Sequence, residues 1–148
     1  MAPGLVIYRA REPVSEESAA YVGLVVVSHS NRIAEGTAEL AGQMAGPQVR
    51  IVAAGGMEDG SIGTDAARIA AALQAADAGA GVVVLADLGS AVLSTRTALE
   101  LLDNPEGVRL SRGPIVEGAV MAAVQASTGS TLDEVLEAAE AAATLPKG

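Results

Sequence analysis

VVVSHSNRIAEG, residues 25–36, passes from an unbroken apolar run into a helix-like pattern across a three-residue polar turn. A short run of Val with no polar alternation is the pattern of a strand covered on both faces. Ser28, His29 and Ser30 form the turn, and His29 is the single histidine of the 148-residue chain. Strand, tight turn and helix in that order make the repeating unit of an α/β protein.

The same unit recurs. Val22–Val27, Val49–Ala53 and Gly81–Ala86 read as buried strands, with a weaker fourth at Val108–Ser111. Helical patterns lie between them. The first places Ile33, Thr37, Leu40, Ala41 and Met44 on one face and stops at Gly46-Pro47. The second carries Ala66, Ile69, Ala70, Leu73 and Ala76, and the third Thr95, Ala98, Leu99 and Leu102. Two more helices are expected over about 115–127 and 131–143. Parallel strands joined by right-handed crossovers follow, giving an α/β three-layer sandwich with a doubly wound, mainly parallel four-stranded sheet. Its expected strand order is 2-1-3-4, counting these four in chain order. Residues 1–20, with Pro3, Pro13 and acidic Glu16 and Glu17, read as a flexible N-terminal extension, and 21–148 as one domain.

Half of the residues are apolar, yet there is no Phe or Trp, so the core must be built from Val, Ile, Leu and Ala. A net charge of −9 and nine scattered Lys and Arg argue against nucleic acid as a partner. Without Cys, disulfides and thiolate chemistry are excluded, and a single His makes a zinc site improbable. No apolar stretch is long enough to cross a membrane, and the run Leu5–Tyr8 is too short for a signal peptide. The expected location is cytoplasmic.

In a doubly wound sheet, ligands sit beyond the carboxyl ends of the strands where strand order reverses. There, the first strand presents Ser28, His29 and Ser30, and the third presents Asp87, then Leu88, Gly89, Ser90 and Ala91. The second leads into GGMEDGSIGTD, residues 55–65, which contains Thr64. That loop lacks the lysine of a Walker phosphate loop, no GxGxxG follows the first strand, and no GxSxG elbow is present. Asp87 can simply cap the following helix. It can also accept a hydrogen bond from Nδ1–H of His29 and leave Nε2 free to attack phosphorus. Neutral imidazole is a nucleophile near pH 7. The N–H groups of Leu88, Gly89, Ser90 and Ala91 would then cradle the phosphoryl anion at a helix start, with Ser28, Ser30, Ser90 and Thr64 as hydroxyl donors.

Four segments in order, VSHSNRIAEG, GGMEDGSIGTD, ADLGSAVLSTRTALELL and PIVEGAVMAAV, carry a family resemblance from about Val22 to Ala143. The chain resembles the phosphoryl-carrier subunits of phosphoenolpyruvate-dependent dihydroxyacetone kinases, whose domain is similar to the enzyme IIA of mannose-type sugar phosphotransferase systems. The resemblance implies a phosphotransferase subunit in which His29 takes phosphate on Nε2 from the phosphocarrier HPr, with Asp87 as the neighbouring acid. The phosphate would pass to ADP on a nucleotide-binding kinase subunit, and the ATP formed would phosphorylate dihydroxyacetone on a third subunit. It implies no cofactor on this chain, with magnesium and ADP or ATP held by the partner, and a homodimer. Some relatives continue into HPr-like and enzyme I-like domains; a complete chain ending at Gly148 would have to take its phosphate from separate proteins. Two alternatives are a mannose-type enzyme IIA serving a sugar transporter and a flavodoxin-like regulatory or ligand-binding module. The near absence of aromatic residues argues against a flavin in the latter.

Overall fold

A computed structural model describes residues 20–148 and the backbone of residues 6–8. Among these residues the elements are strands β1 (Val6–Tyr8), β2 (Gly23–Ser28), β3 (Ile51–Gly55), β4 (Val82–Ala86) and β5 (Val108–Leu110). The helices are α1 (Asn31–Ala45), α2 (Ala66–Ala76), α3 (Gly89–Glu100), α4 (Ile115–Ser127) and α5 (Leu132–Ala141). The sheet order is β1-β3-β2-β4-β5. β2 to β5 are mutually parallel, and counted alone they run 2-1-3-4, as the sequence predicts.

One strand was not anticipated. Val6–Tyr8 pairs antiparallel with β3 in the register Val6↔Ala53 to Tyr8↔Ile51, inside the segment read as an extension. The sheet therefore has five strands, with only the added edge strand antiparallel. Three residues are too short a run to announce a strand, but they cover backbone groups that an open β3 edge would leave unpaired. The remainder of the expected extension over residues 1–20 lies outside the described residues.

Alternation within the strands builds two cores. Leu24, Val26, Ile51, Ala53, Val83 and Leu85 face α1, α4 and α5. Val25, Val27, Val52, Ala54, Val84 and Ala86 face α2 and α3. Every residue of β2, β3 and β4 is buried, so the sheet is the middle of three layers. Strand bounds differ from the expected ones by one or two residues, because the apolar run starts before the ladder does.

The buried face of α1 is not the expected one. Thr37 and Ala41 are buried, but Ile33, Leu40 and Met44 are 49%, 47% and 55% exposed. Ala34, Ala38 and Ala45 take their place against the sheet. Small side chains let the helix axis approach, and the sheet supplies the bulk from its own Val and Ile. In α2, Ile69, Ala70, Leu73 and Ala76 are buried as expected, and in α3 so are Thr95 and Ala98.

Candidate functional site

β2 and β4 are adjacent, with Val27 opposite Ala86, so the residues that follow them meet at one rim. Asp87 N–H donates to the Val27 carbonyl at 3.2 Å, extending the ladder one residue past β4 and fixing where the carboxylate stands. Asp87 Oδ1 lies 2.9 Å from His29 Nδ1, and Oδ2 accepts the His29 backbone N–H at 3.1 Å. The Ser28 hydroxyl donates to Oδ2 at 2.7 Å, and the Leu88 N–H to Oδ1 at 2.7 Å. Burial works against the Asp87 charge, but the donors from Ser28, Leu88 and His29 outweigh it and hold the carboxyl below its ordinary value. The group is thus ionised at neutral pH and can only accept. Nδ1 must carry the proton, and in the neutral ring Nε2 keeps its lone pair. That nitrogen meets the Ser90 hydroxyl. The His29 side chain is 23% exposed and that of Asp87 16%, so the ring is held firmly but remains reachable.

The turn is supported from three sides. Ser28 is fully buried at the end of β2, and its oxygen also accepts the Ser30 N–H at 3.0 Å. Ser30 is the N-cap of α1, accepting from Ile33 N–H at 3.4 Å. The His29 carbonyl accepts Gly63 N–H at 2.9 Å, tying the glycine-rich loop to the histidine. At Gly55 a Cβ would stand 2.7 Å from both the Ser30 carbonyl oxygen and the Ala34 Cβ, so only glycine lets β3 pass under the start of α1. Gly56 follows at φ +69°, the left-handed region that turns the chain into the loop.

The residues expected at the site fall into two groups. His29, Asp87 and Ser90 converge, and Leu88 and Gly89 lie beside them at the start of α3. Ser28 stands beneath Asp87 instead of beside the ring, and Ser30 is engaged with α1. Thr64 is bonded to Ser94 at 2.6 Å, which joins the loop to α3. Of the four N–H groups expected to cradle an anion, those of Leu88 and Ala91 already donate, to Asp87 Oδ1 and the Leu88 carbonyl. Gly89 and Ser90 occupy the first turn, where no carbonyl of the helix can reach their N–H groups. Asp87 does not cap α3: the cap residue is Leu88, with no side-chain hydrogen bond. The sequence reading missed Ser94 and the buried Arg68, which donates to the Gly55 carbonyl at 3.3 Å beneath the loop. An arginine inside an otherwise apolar helix pattern was the available signal.

No three His, Asp or Glu side chains among the described residues converge in a way that would hold a metal ion. No described helix is long and apolar enough to cross a membrane.

A hydrogen-bonded Asp–His pair whose Nε2 lone pair meets a single serine hydroxyl beside a helix start is suited to nucleophilic attack on an electrophile such as phosphorus. Residues 23–136 match the family model EIIA-man, described as the fructose IIA component of the phosphotransferase system. The phosphoryl donor subunit DhaM of the phosphoenolpyruvate-dependent dihydroxyacetone kinase of Escherichia coli strain K12 is 45% identical over 121 residues, 78% of this chain and 25% of that protein. DhaM of Providencia stuartii is 41% identical over 82% of this chain and 26% of its own length. This chain thus spans about a quarter of those relatives. A DhaM of Listeria innocua, from its dihydroxyacetone kinase 2, is 39% identical over 78% of this chain and 94% of its own length. Among solved structures, a protein titled as of unknown function superposes with a TM-score of 0.73 at 35% identity, covering 81% of this chain and 93% of its own. The dihydroxyacetone kinase of C. freundii superposes at 0.64 and 16% identity, over 97% of this chain and 28% of its own, a likeness of fold. The chain belongs to the mannose-type enzyme IIA family of the phosphotransferase system, in the branch of the DhaM phosphoryl donor subunits of dihydroxyacetone kinases.

Proposed function

We propose that this chain is a phosphohistidine relay of a phosphoenolpyruvate-dependent dihydroxyacetone kinase. It takes a phosphoryl group from HPr on His29 Nε2 and passes it to ADP on the nucleotide-binding kinase subunit. The observation that carries the reading is the 2.9 Å contact between His29 Nδ1 and ionised Asp87, which leaves the other ring nitrogen as the nucleophile. The Gly89 and Ser90 N–H groups, with the positive end of α3, face the arriving phosphoryl oxygens. Ser28, Ser30 and Thr64 serve by holding the turn and the loop in place. Positioning and charge stabilisation are most of what phosphoryl transfer requires. Magnesium and nucleotide are assigned to the partner subunit, and the reaction to the cytoplasm.

A homodimer would cover the exposed Ile33, Leu40 and Met44 of α1 and the neighbouring Val116 and Val124 of α4. Sedimentation equilibrium should give twice the chain mass for the parent and the monomer mass for Leu40→Glu combined with Met44→Glu.

The direct test incubates the chain with labelled phosphoenolpyruvate, enzyme I and HPr, then with the kinase subunits, ADP and dihydroxyacetone. Label should enter His29 in an acid-labile, base-stable form and leave as dihydroxyacetone phosphate. Equal labelling of His29→Ala refutes the assignment. Labelling without onward transfer to the kinase subunits would favour the sugar-transporter alternative.

A further inference from the structure

We propose that the Ser90 hydroxyl masks the Nε2 lone pair in the resting chain and turns to the phosphoryl oxygens once the N–P bond has formed. The inference rests on His29 being the phosphoryl acceptor, as proposed above. It assigns Ser90 a task at each end of the transfer, instead of a place in the anion cradle alone.

The donor and acceptor roles follow from the neighbours. Asp87 is held ionised and accepts from Nδ1–H, so Nε2 has a lone pair and no proton in the neutral ring. The Ser90 oxygen stands at Nε2, and the only hydrogen available to that contact is the one on the hydroxyl. Serine therefore donates and the nucleophilic pair is occupied. No other hydrogen bond holds that hydroxyl among the described residues. Rotation about one side-chain bond is enough to free the nitrogen, with no movement of α3. Ser28 and Ser30 cannot substitute, since one is bound to Asp87 and the other caps α1.

After rotation, the Nε2 pair attacks phosphorus of a donor that carries a P–N bond. The new Nε2–P bond forms as the donor's P–N bond breaks, and the leaving nitrogen takes that electron pair. Nδ1 keeps its proton against Asp87, so no proton need leave the ring. Three phosphoryl oxygens now stand where the lone pair was, and the same hydroxyl donates to one of them. Donation to an anion is about twice as strong as to a neutral acceptor. Ser90 thus favours the phosphorylated state over the resting one.

The test uses phosphoramidate, a small donor with a P–N bond and ammonia as leaving group, so that no partner protein is needed. In the unphosphorylated chain, nitrogen NMR of the imidazole should show Nε2 of Ser90→Ala moving toward the position of an unbonded nitrogen, with Nδ1 unchanged. The phosphoryl label on Ser90→Ala should hydrolyse about tenfold faster than on the parent, the loss expected for one charge-assisted hydrogen bond. Ser90→Thr, which keeps the hydroxyl, should restore both readings. An unmoved Nε2 resonance, or an unchanged label lifetime, in Ser90→Ala overturns the proposal. If His29→Ala takes label equally, both this inference and the relay function fall. If phosphoramidate labels the parent but HPr does not, the relay reading alone fails and the Ser90 comparison stands.

Discussion

The turn from β2 to α1 gives its serine to the helix it starts, whereas the turn from β4 to α3 leaves its helix without a side-chain cap. Ser30 caps α1; Leu88 occupies the equivalent place on α3 and offers nothing. Asp87, one residue earlier, has the right chemistry for a cap but is committed to His29, Ser28 and its own neighbour's N–H. An N-cap contributes about 1 kcal/mol to a helix. α3 forgoes that stabilisation, and in exchange the N–H groups of Gly89 and Ser90 stay open beside the histidine. One turn spends its side chain on its own helix, the other on the neighbouring histidine.

The largest effect is expected where the second turn commits its carboxylate. Asp87→Asn removes the charge that fixes the ring tautomer and places an NH2 among groups that are themselves donors. Phosphorylation of His29 should slow by about 100-fold, in line with losing charge-assisted hydrogen bonds of roughly 1.5–3 kcal/mol. Circular dichroism should show the fold retained, and a wild-type labelling rate would reduce Asp87 to a structural residue.

The same carboxylate gives the comparison a pH signature. Its folded value lies below 3.8, the ordinary value that applies to the unfolded chain. The stabilisation it contributes is then fully present above that pH and is lost as pH falls through the folded value. Urea midpoints of the parent and Asp87→Asn should differ at pH 7 and converge as the pH falls below 3.8 and through the lower folded value of Asp87. A gap that widens on acidification would contradict the ionised pair.

Leu88→Ser should make the two turns alike. A serine there can accept from the Ser90 or Ala91 N–H, raising stability by about 1 kcal/mol while lowering phosphoryl acceptance several-fold. Denaturant unfolding and initial labelling rates measure the two halves of that trade. The smallest effect on function is expected at the first turn: Ser30→Ala should cost about 1 kcal/mol of stability and leave labelling within about twofold of the parent.

Much of this contrast was legible in the sequence. Val runs located three buried strands, and alternation with helices gave the parallel order that sets His29 beside Asp87. Which side chain caps which helix was not legible, because Ser30 and Asp87 are both good caps and only their three-dimensional neighbours choose between capping a helix and bonding His29. The buried face of α1 was misjudged for a related reason. Periodicity favours the larger Ile33, Leu40 and Met44, while the sheet already fills the space and admits small side chains such as Ala34, Ala38, Ala41 and Ala45. The strand Val6–Tyr8 had too few residues to show a period at all.

The pairing of Asp87 with Nδ1 makes a single atomic prediction about the modified protein. Phosphorus-31 NMR of the chain labelled from phosphoenolpyruvate through enzyme I and HPr, with nitrogen-15 in the imidazole, should show one phosphorus–nitrogen coupling, to Nε2, while Nδ1 retains its proton. Coupling to Nδ1, or a phosphorus signal with no nitrogen partner, would contradict the account.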